Sequence, residues 1–94
     1  MKQTMSVEVN LSPNLALYTG KQQAIETEGG SVGECLQDVV RQFPAVKSAI
    51  FDRDGKVHRY LELFVNQTAI QPSEIDMRVK DGDIIHVVLI IAGG

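Results

Sequence analysis

The sequence predicts an α+β fold: a mixed sheet of four to five strands with one main helix packed on one face. Three observations predict it. Val32, Leu36, Val39, Val40 and Phe43 recur at helical spacing and form one apolar stripe. Segments with strand patterning lie before and after that helix, and the last, from Ile84 to Ile91, is almost wholly apolar. A strand that apolar belongs in the middle of a sheet, and one helix with one stripe can cover only one of the sheet's faces.

Taken in order, Met5-Ser6-Val7-Glu8-Val9-Asn10-Leu11 alternates apolar and polar, which predicts a half-buried strand with Met5, Val7, Val9 and Leu11 inward. Ser12-Pro13-Asn14 and Thr19-Gly20-Lys21 are turn chemistry, and Leu15, Ala16 and Leu17 between them should cover one end of the core. Gln22 to Glu28 reads as a second strand with Ile25 inward, pairing antiparallel with the first across a connection longer than a tight hairpin.

Gly29-Gly30 breaks that strand, and Ser31-Val32-Gly33-Glu34 has the form of a capping box. The helix runs from Val32 to Phe43, with Gln37, Asp38, Arg41 and Gln42 on its wet side, and Pro44 ends it. Ala45 to Phe51 reads as irregular, with Val46, Ile50 and Phe51 as burial anchors. Tyr60 to Asn66 is a third strand: Leu61, Leu63 and Val65 face the core, while Tyr60, Glu62 and Phe64 face solvent. Asn66-Gln67 turns the chain into a very short strand, Thr68-Ala69-Ile70. Pro72 to Ile75 is a loop or single helical turn, and Asp81-Gly82-Asp83 leads into the last strand. With the first and last strands parallel at the centre and the helix in the crossover between them, the arrangement is a β-grasp sheet.

Ninety-four residues suit one domain, residues 1–94, with 91–94 as a flexible C-terminal tail. The net charge of −3 gives a nucleic-acid role no electrostatic support, and the densest basic run, Lys56-Val57-His58-Arg59, is too short to make one. The single cysteine, Cys35, excludes an internal disulfide and fits a reducing, cytoplasmic compartment. Met1 to Met5 lacks an apolar signal core, and Val87 to Ala92 is far too short to span a bilayer, so no membrane role is expected.

Catalytic equipment is sparse, and the chain is not expected to be an enzyme. His58 and His86 have no ligand partners at metal spacing, and a surface or contact role is expected of each. Cys35 sits near the N-terminal turn of the helix, where a thiolate is somewhat favoured, but no activating base is evident, and a small, partly buried residue is the plainer reading. Gly29-Gly30-x-x-Gly33 lacks the residues of a phosphate loop and reads as strand exit plus helix cap. Phe64, His86 and Val88 fall together on the open face of neighbouring strands. They form either a patch for docking a protein partner or a surface over which Leu15 or Ile91 folds.

Ala92-Gly93-Gly94 is the remaining feature. Glycine loses more backbone entropy on ordering than any other residue, so a terminal pair adds nothing to fold stability. It offers a thin segment that can thread a narrow cleft and present a carboxylate. At about 3.3 Å per extended residue, Ile91 to Gly94 reaches roughly 13 Å beyond the sheet.

With these residues in place, the chain resembles the ThiS/MoaD family of ubiquitin-like sulfur carriers over its whole length. The resemblance rests on the opening strand pair, the helix after Gly29-Gly30-Ser31-Val32, Val65-Asn66 before a short strand, Lys80-Asp81-Gly82-Asp83, and Ala92-Gly93-Gly94. Gly55-Lys56-Val57-His58-Arg59-Tyr60 with Leu63-Phe64-Val65-Asn66 is similar to the CysO type, which serves cysteine biosynthesis. Leu89-Ile90-Ile91 departs from the molybdopterin type, many of whose members carry prolines there.

The resemblance implies adenylation of Gly94 by an E1-like adenylyltransferase/sulfurtransferase and a thiocarboxylate on that residue, with Ala92 and Gly93 threading the cleft. The carrier itself binds no cofactor; ATP is used by the activating partner. A cysteine-synthase-like enzyme would accept the sulfur and a metalloprotease would release the product. The alternatives are a ubiquitin-like modifier conjugated through Gly94 and the small subunit of molybdopterin synthase.

Overall fold

The computed structural model describes residues 6–90. Five strands, β1 (Val7–Leu11), β2 (Ala24–Thr27), β3 (Leu61–Val65), β4 (Thr68–Ile70) and β5 (Ile84–Leu89), form one sheet in the order β2-β1-β5-β3-β4. β1 and β5 lie parallel at its centre, and the other neighbours are antiparallel. Helix α1 (Val32–Gln42) packs on one face, and a shorter helix, α2 (Lys47–Ile50), follows it. This is the ubiquitin-like β-grasp architecture that the patterning predicts. Met5 lies outside the described residues, and so does the tail, residues 91–94.

The core forms where the periodicities meet. Val7, Val9 and Leu11 alternate with half-exposed Glu8 and Asn10. Opposite them, Val32, Cys35, Leu36 and Val39 of α1 are all buried, the i, i+3, i+4, i+7 spacing of one helical stripe. Ile85 and Val87 of β5 and Leu61 and Leu63 of β3 complete the layer.

Ser31 caps α1, its Oγ accepting from the Glu34 N–H at 3.2 Å. The reciprocal half of the expected capping box is shifted by one residue: the Glu34 carboxylate takes the Gly30 N–H at 2.7 Å, not that of Ser31. The first two helical N–H groups donate to backbone carbonyls of the 75–79 segment, Val32 to Met77 and Gly33 to Ile75, at 3.0 and 2.7 Å. Glycine suits that approach: a Cβ on Gly33 would lie 3.2 Å from the Ile75 carbonyl oxygen, closer than ordinary van der Waals contact, and the facing segment would have to give.

Several sequence expectations are corrected. Leu17 does not cover the core; it is 70% exposed, while Leu15 and Ala16 are buried. A 3₁₀ turn over Leu15–Thr19 points successive side chains in different directions, so three adjacent residues cannot all face inward. Residues 45–51 are not irregular: a 3₁₀ turn over Pro44–Val46 runs into α2, and its apolar side, Val46 and Ile50, is buried. Asp38 is not on the wet side of α1. It is buried because its carboxylate accepts the Glu28 N–H at 3.0 Å and a bond from Arg41 Nε at 2.8 Å, tying the helix to the end of β2.

Candidate functional site

The face of the sheet that α1 leaves uncovered is built by strand alternation alone. In register across the five strands, one row reads Ala24, Asn10, His86, Phe64 and Ala69. His86 and Phe64 stand side by side at its middle, with alanines at both ends. One step along β5, Val88 lies opposite Glu62; one step the other way, Ile84 lies opposite Glu8, and Glu8 opposite Glu26. The three residues expected on a common face, Phe64, His86 and Val88, are thus direct or next-row neighbours. All three are half-buried. Leu15 does not fold over them, being fully buried in the core with β1 and α1; Ile91 lies outside the described residues.

Glu8, Glu26, Asn10 and Ile84 complete the patch, and sequence reasoning did not assign them to it. The alternation in Val7–Leu11 already turned Glu8 and Asn10 outward. What was missing was the register that sets Glu8 beside Ile84 and Asn10 beside His86.

β5 carries the chain from this face toward residues 91–94. Its far end is pinned from both sides: Leu89 N–H donates to Ser12 Oγ at 3.1 Å, and Ile90 N–H donates to the Tyr60 carbonyl at 3.0 Å. Tyr60 and Ile90 are 50% and 42% exposed, placing apolar surface where the chain leaves the sheet. Tyr60 also stacks on His58 with ring centroids 4.6 Å apart, while His58 Nε2 lies 2.9 Å from the Ser48 carbonyl. Gly94, Gly93 and Ala92, the expected adenylation and threading residues, lie outside the described residues.

At its other end β5 is set by a polar knot. Asn66 closes the turn between β3 and β4 with φ of 56°, a left-handed conformation that asparagine tolerates better than most residues. Its Oδ1 accepts the Ile84 N–H at 3.0 Å and its Nδ2 donates to Asp83 Oδ1 at 3.1 Å. The other Asp83 oxygen accepts the Lys80 N–H at 2.9 Å. These bonds, with the Lys80 N–H foremost and Asn66 next, hold the Asp83 carboxyl below its ordinary range. Asp81 binds the Ser6 N–H at 2.8 Å, and Gly82 N–H reaches the Ser6 carbonyl at 2.9 Å. The Val65-Asn66 and Asp81-Gly82-Asp83 motifs therefore meet in space and fix the start of the strand that leads to the tail.

Cys35 is the small buried residue that the plainer reading of the sequence expects. It is fully buried, and burial pushes its thiol pKa up; the nearby carboxylates of Asp38 and Glu34 add to this, and a hydrogen bond with Thr27 opposes it. The helix N-terminus does not favour a thiolate here, because the thiol is desolvated and its Sγ faces the Gly29 carbonyl at 3.8 Å. Among the described residues, no group of three or more His, Cys, Asp and Glu side chains could hold a metal ion, and no helix is long and apolar enough to cross a membrane.

Comparison with known proteins agrees with this geometry. The model of the ThiS family matches residues 5–94. Among solved structures, a chain of the BexX/CysO complex of Amycolatopsis orientalis is similar at 28% identity and a TM-score of 0.82, over 94% of this chain and 99% of that one. The small archaeal modifier protein 1 of Methanosarcina acetivorans is similar at 22% identity and a TM-score of 0.84, over 99% of this chain and 100% of that one. A putative molybdopterin converting factor subunit 1 of Pyrococcus furiosus follows at 20% identity and a TM-score of 0.70, over 94% and 100%. The last two establish the fold alone. No curated protein matches the chain.

Proposed function

The chain belongs to the ThiS family, the ubiquitin-like sulfur carriers and modifiers, and from that premise we propose that it carries sulfur on the C-terminal carboxylate of Gly94. The observation that supports this reading most is the position of β5. The strand that continues into Ala92-Gly93-Gly94 is the central one, pinned to both neighbours and flanked by the open face. An ordered platform of that kind lets a partner grip the body while the thin tail enters its nucleotide pocket.

The chemistry is the partner's. A carboxylate oxygen of Gly94 attacks the α-phosphorus of ATP and pyrophosphate leaves, giving the acyl-adenylate. Hydrosulfide then attacks the acyl carbon and AMP leaves, with one proton lost, giving the thiocarboxylate. The carrier supplies reach, small residues at 92–94 and a docking face that includes Phe64, His86 and Val88. It supplies no acid, base or cofactor, and in this reading it is a substrate and not a catalyst. The likeness to a chain of the BexX/CysO complex favours a cysteine-synthase-like acceptor, with a metalloprotease releasing the amino-acid product. The setting is cytoplasmic, and residues 1–94 act as one unit with 91–94 as its tail.

Incubation with an E1-like activating enzyme, ATP and sulfide should raise the intact mass by the exchange of one oxygen for sulfur. Deleting Gly94 should abolish that product. Full conversion without Gly94 rules the reading out, and a ladder of lysine adducts resistant to thiol reagents assigns the chain to protein conjugation instead.

A further inference from the structure

The Ser12-Pro13-Asn14 turn reaches across to the far end of β5. β1 and β5 run parallel in register as far as Leu11 and Val87, and Ser12 N–H still takes the Val87 carbonyl at 2.9 Å. Were the ladder to continue, Leu89 N–H would bond the Ser12 carbonyl, and the Leu89 carbonyl would bond the backbone N–H of Asn14. The chain turns away first. The Ser12 carbonyl accepts Leu15 N–H and Ala16 N–H instead, both at 3.0 Å, as the 3₁₀ turn begins. β3 does not make up the loss, because alternate residues of a strand turn their backbone groups to opposite neighbours. Ile90 N–H reaches the Tyr60 carbonyl, whereas Leu89 N–H faces the β1 side.

Two side chains stand in for the missing backbone. Ser12 Oγ accepts Leu89 N–H at 3.1 Å and donates its own proton to Asn14 Oδ1 at 2.6 Å. Asn14 Oδ1 also accepts Leu15 N–H at 3.0 Å, which leaves Nδ2 toward the Leu89 carbonyl, at 3.5 Å. Pro13 between them has a fixed φ and stiffens the clip. Ser12, Asn14 and Leu89 are half-buried, and Leu89 is the last residue of β5, so the clip acts where the chain leaves the sheet.

That place matters for the tail. A partner must order whatever the carrier does not hold, and each further residue costs backbone entropy. A reach of roughly 13 Å also magnifies any error at its root: a swing of about 10° moves the end by roughly 2 Å. Misplacement by about 1 Å is enough to slow a reaction severely.

We propose that Ser12, oriented by Asn14, is a positioning residue for adenylation: it holds the end of β5 so that the segment entering the partner's cleft begins at Ile91. The inference rests on the carrier reading above and adds to it the device that aims the tail. Neither side chain takes part in the chemistry itself.

The test is ATP–pyrophosphate exchange catalysed by the E1-like activating enzyme, with the full chain as the varied substrate. Amide hydrogen exchange and thermal melting are followed on each chain alone. In S12A the Leu89 amide should exchange with solvent roughly tenfold faster than in wild type, with the Val9 and Ile85 amides unchanged. Its kcat should fall roughly five- to tenfold while KM stays within about twofold, because the body still docks and only the aim of the tail is lost. S12T keeps the hydroxyl and should restore both the slow Leu89 amide and the wild-type kcat. S31A destabilises the chain through the cap of α1, on a different element, and should keep the wild-type kcat. Wild-type kcat or an unchanged Leu89 amide in S12A overturns the positioning inference and leaves the carrier reading standing. So does failure of S12T to restore kcat, or an equal fall in S31A. Absence of pyrophosphate exchange with the wild-type chain overturns both.

Discussion

Asn66 concentrates three demands at one residue: a left-handed backbone, an acceptor for Ile84 N–H and a donor for Asp83. Asn66→Ala loses both side-chain bonds and strains the backbone, and should destabilise by about 2–3 kcal/mol in urea unfolding. Asn66→Gly removes the same bonds but keeps the conformation, so its loss should be smaller by about 1 kcal/mol. Equal losses would show that the turn conformation contributes nothing. Cys35 makes an opposite case, a reactive type in an inert place. Fully buried and with its pKa raised chiefly by desolvation, it should label with a thiol reagent only at the rate at which the native chain opens. Fast labelling of the native chain at neutral pH would contradict the burial.

At the scale of elements, β5 has two functionally different sides. Ile85 and Val87 are fully buried in the common core, whereas His86 and Val88 are half-buried on the open face. Ile85→Ala should therefore destabilise by about 3 kcal/mol in chemical denaturation, in line with other large-to-small core changes. Val88→Ala should cost under about 1 kcal/mol yet impair activation by the partner enzyme. Helix α1 is similarly divided. Its cap is local, and Ser31→Ala should cost about 1 kcal/mol. Its first N–H groups, however, are taken by Ile75 and Met77 from a segment more than forty residues away.

For the whole molecule, acid should be the main chemical stress. Burial alone would raise the Asp38 carboxyl, but the Glu28 N–H, Arg41 and Gln42 outweigh it and hold the group below its ordinary value. Asp83 is also lowered, by Lys80 N–H and Asn66. A carboxyl depressed in the folded state contributes stability above its unfolded pKa, near about 4 for aspartate, and loses it as pH falls through the folded value. The urea midpoint should therefore drop below about pH 4. A D38N/D83N chain should start lower at neutral pH and show a shallower acid decline. An unchanged acid slope in that chain would assign the sensitivity to other carboxyls.

Much of this was legible in the chain itself. Alternation in Val7–Leu11, the stripe from Val32 to Val39 and the apolar run of β5 each follow from a local period, and together they leave few sheets that one helix can cover. Phe64, His86 and Val88 share a face for the same reason. Local periods were silent where a residue answers to a distant one. Asp38 reads as solvated until the end of β2 presents the Glu28 N–H, and Cys35 reads as only partly buried until the helix rolls its i+3 position into the core. Leu17 reads as core until a 3₁₀ turn points it outward. The opposition of Glu8 and Glu26 exists only through register, which a two-residue period leaves free to slip and the completed sheet does not. Patterning within the sequence determined which elements form and which of their sides are apolar. Tertiary structure alone decided which side chains meet, because strand register and helix docking are set by the packing of the whole core.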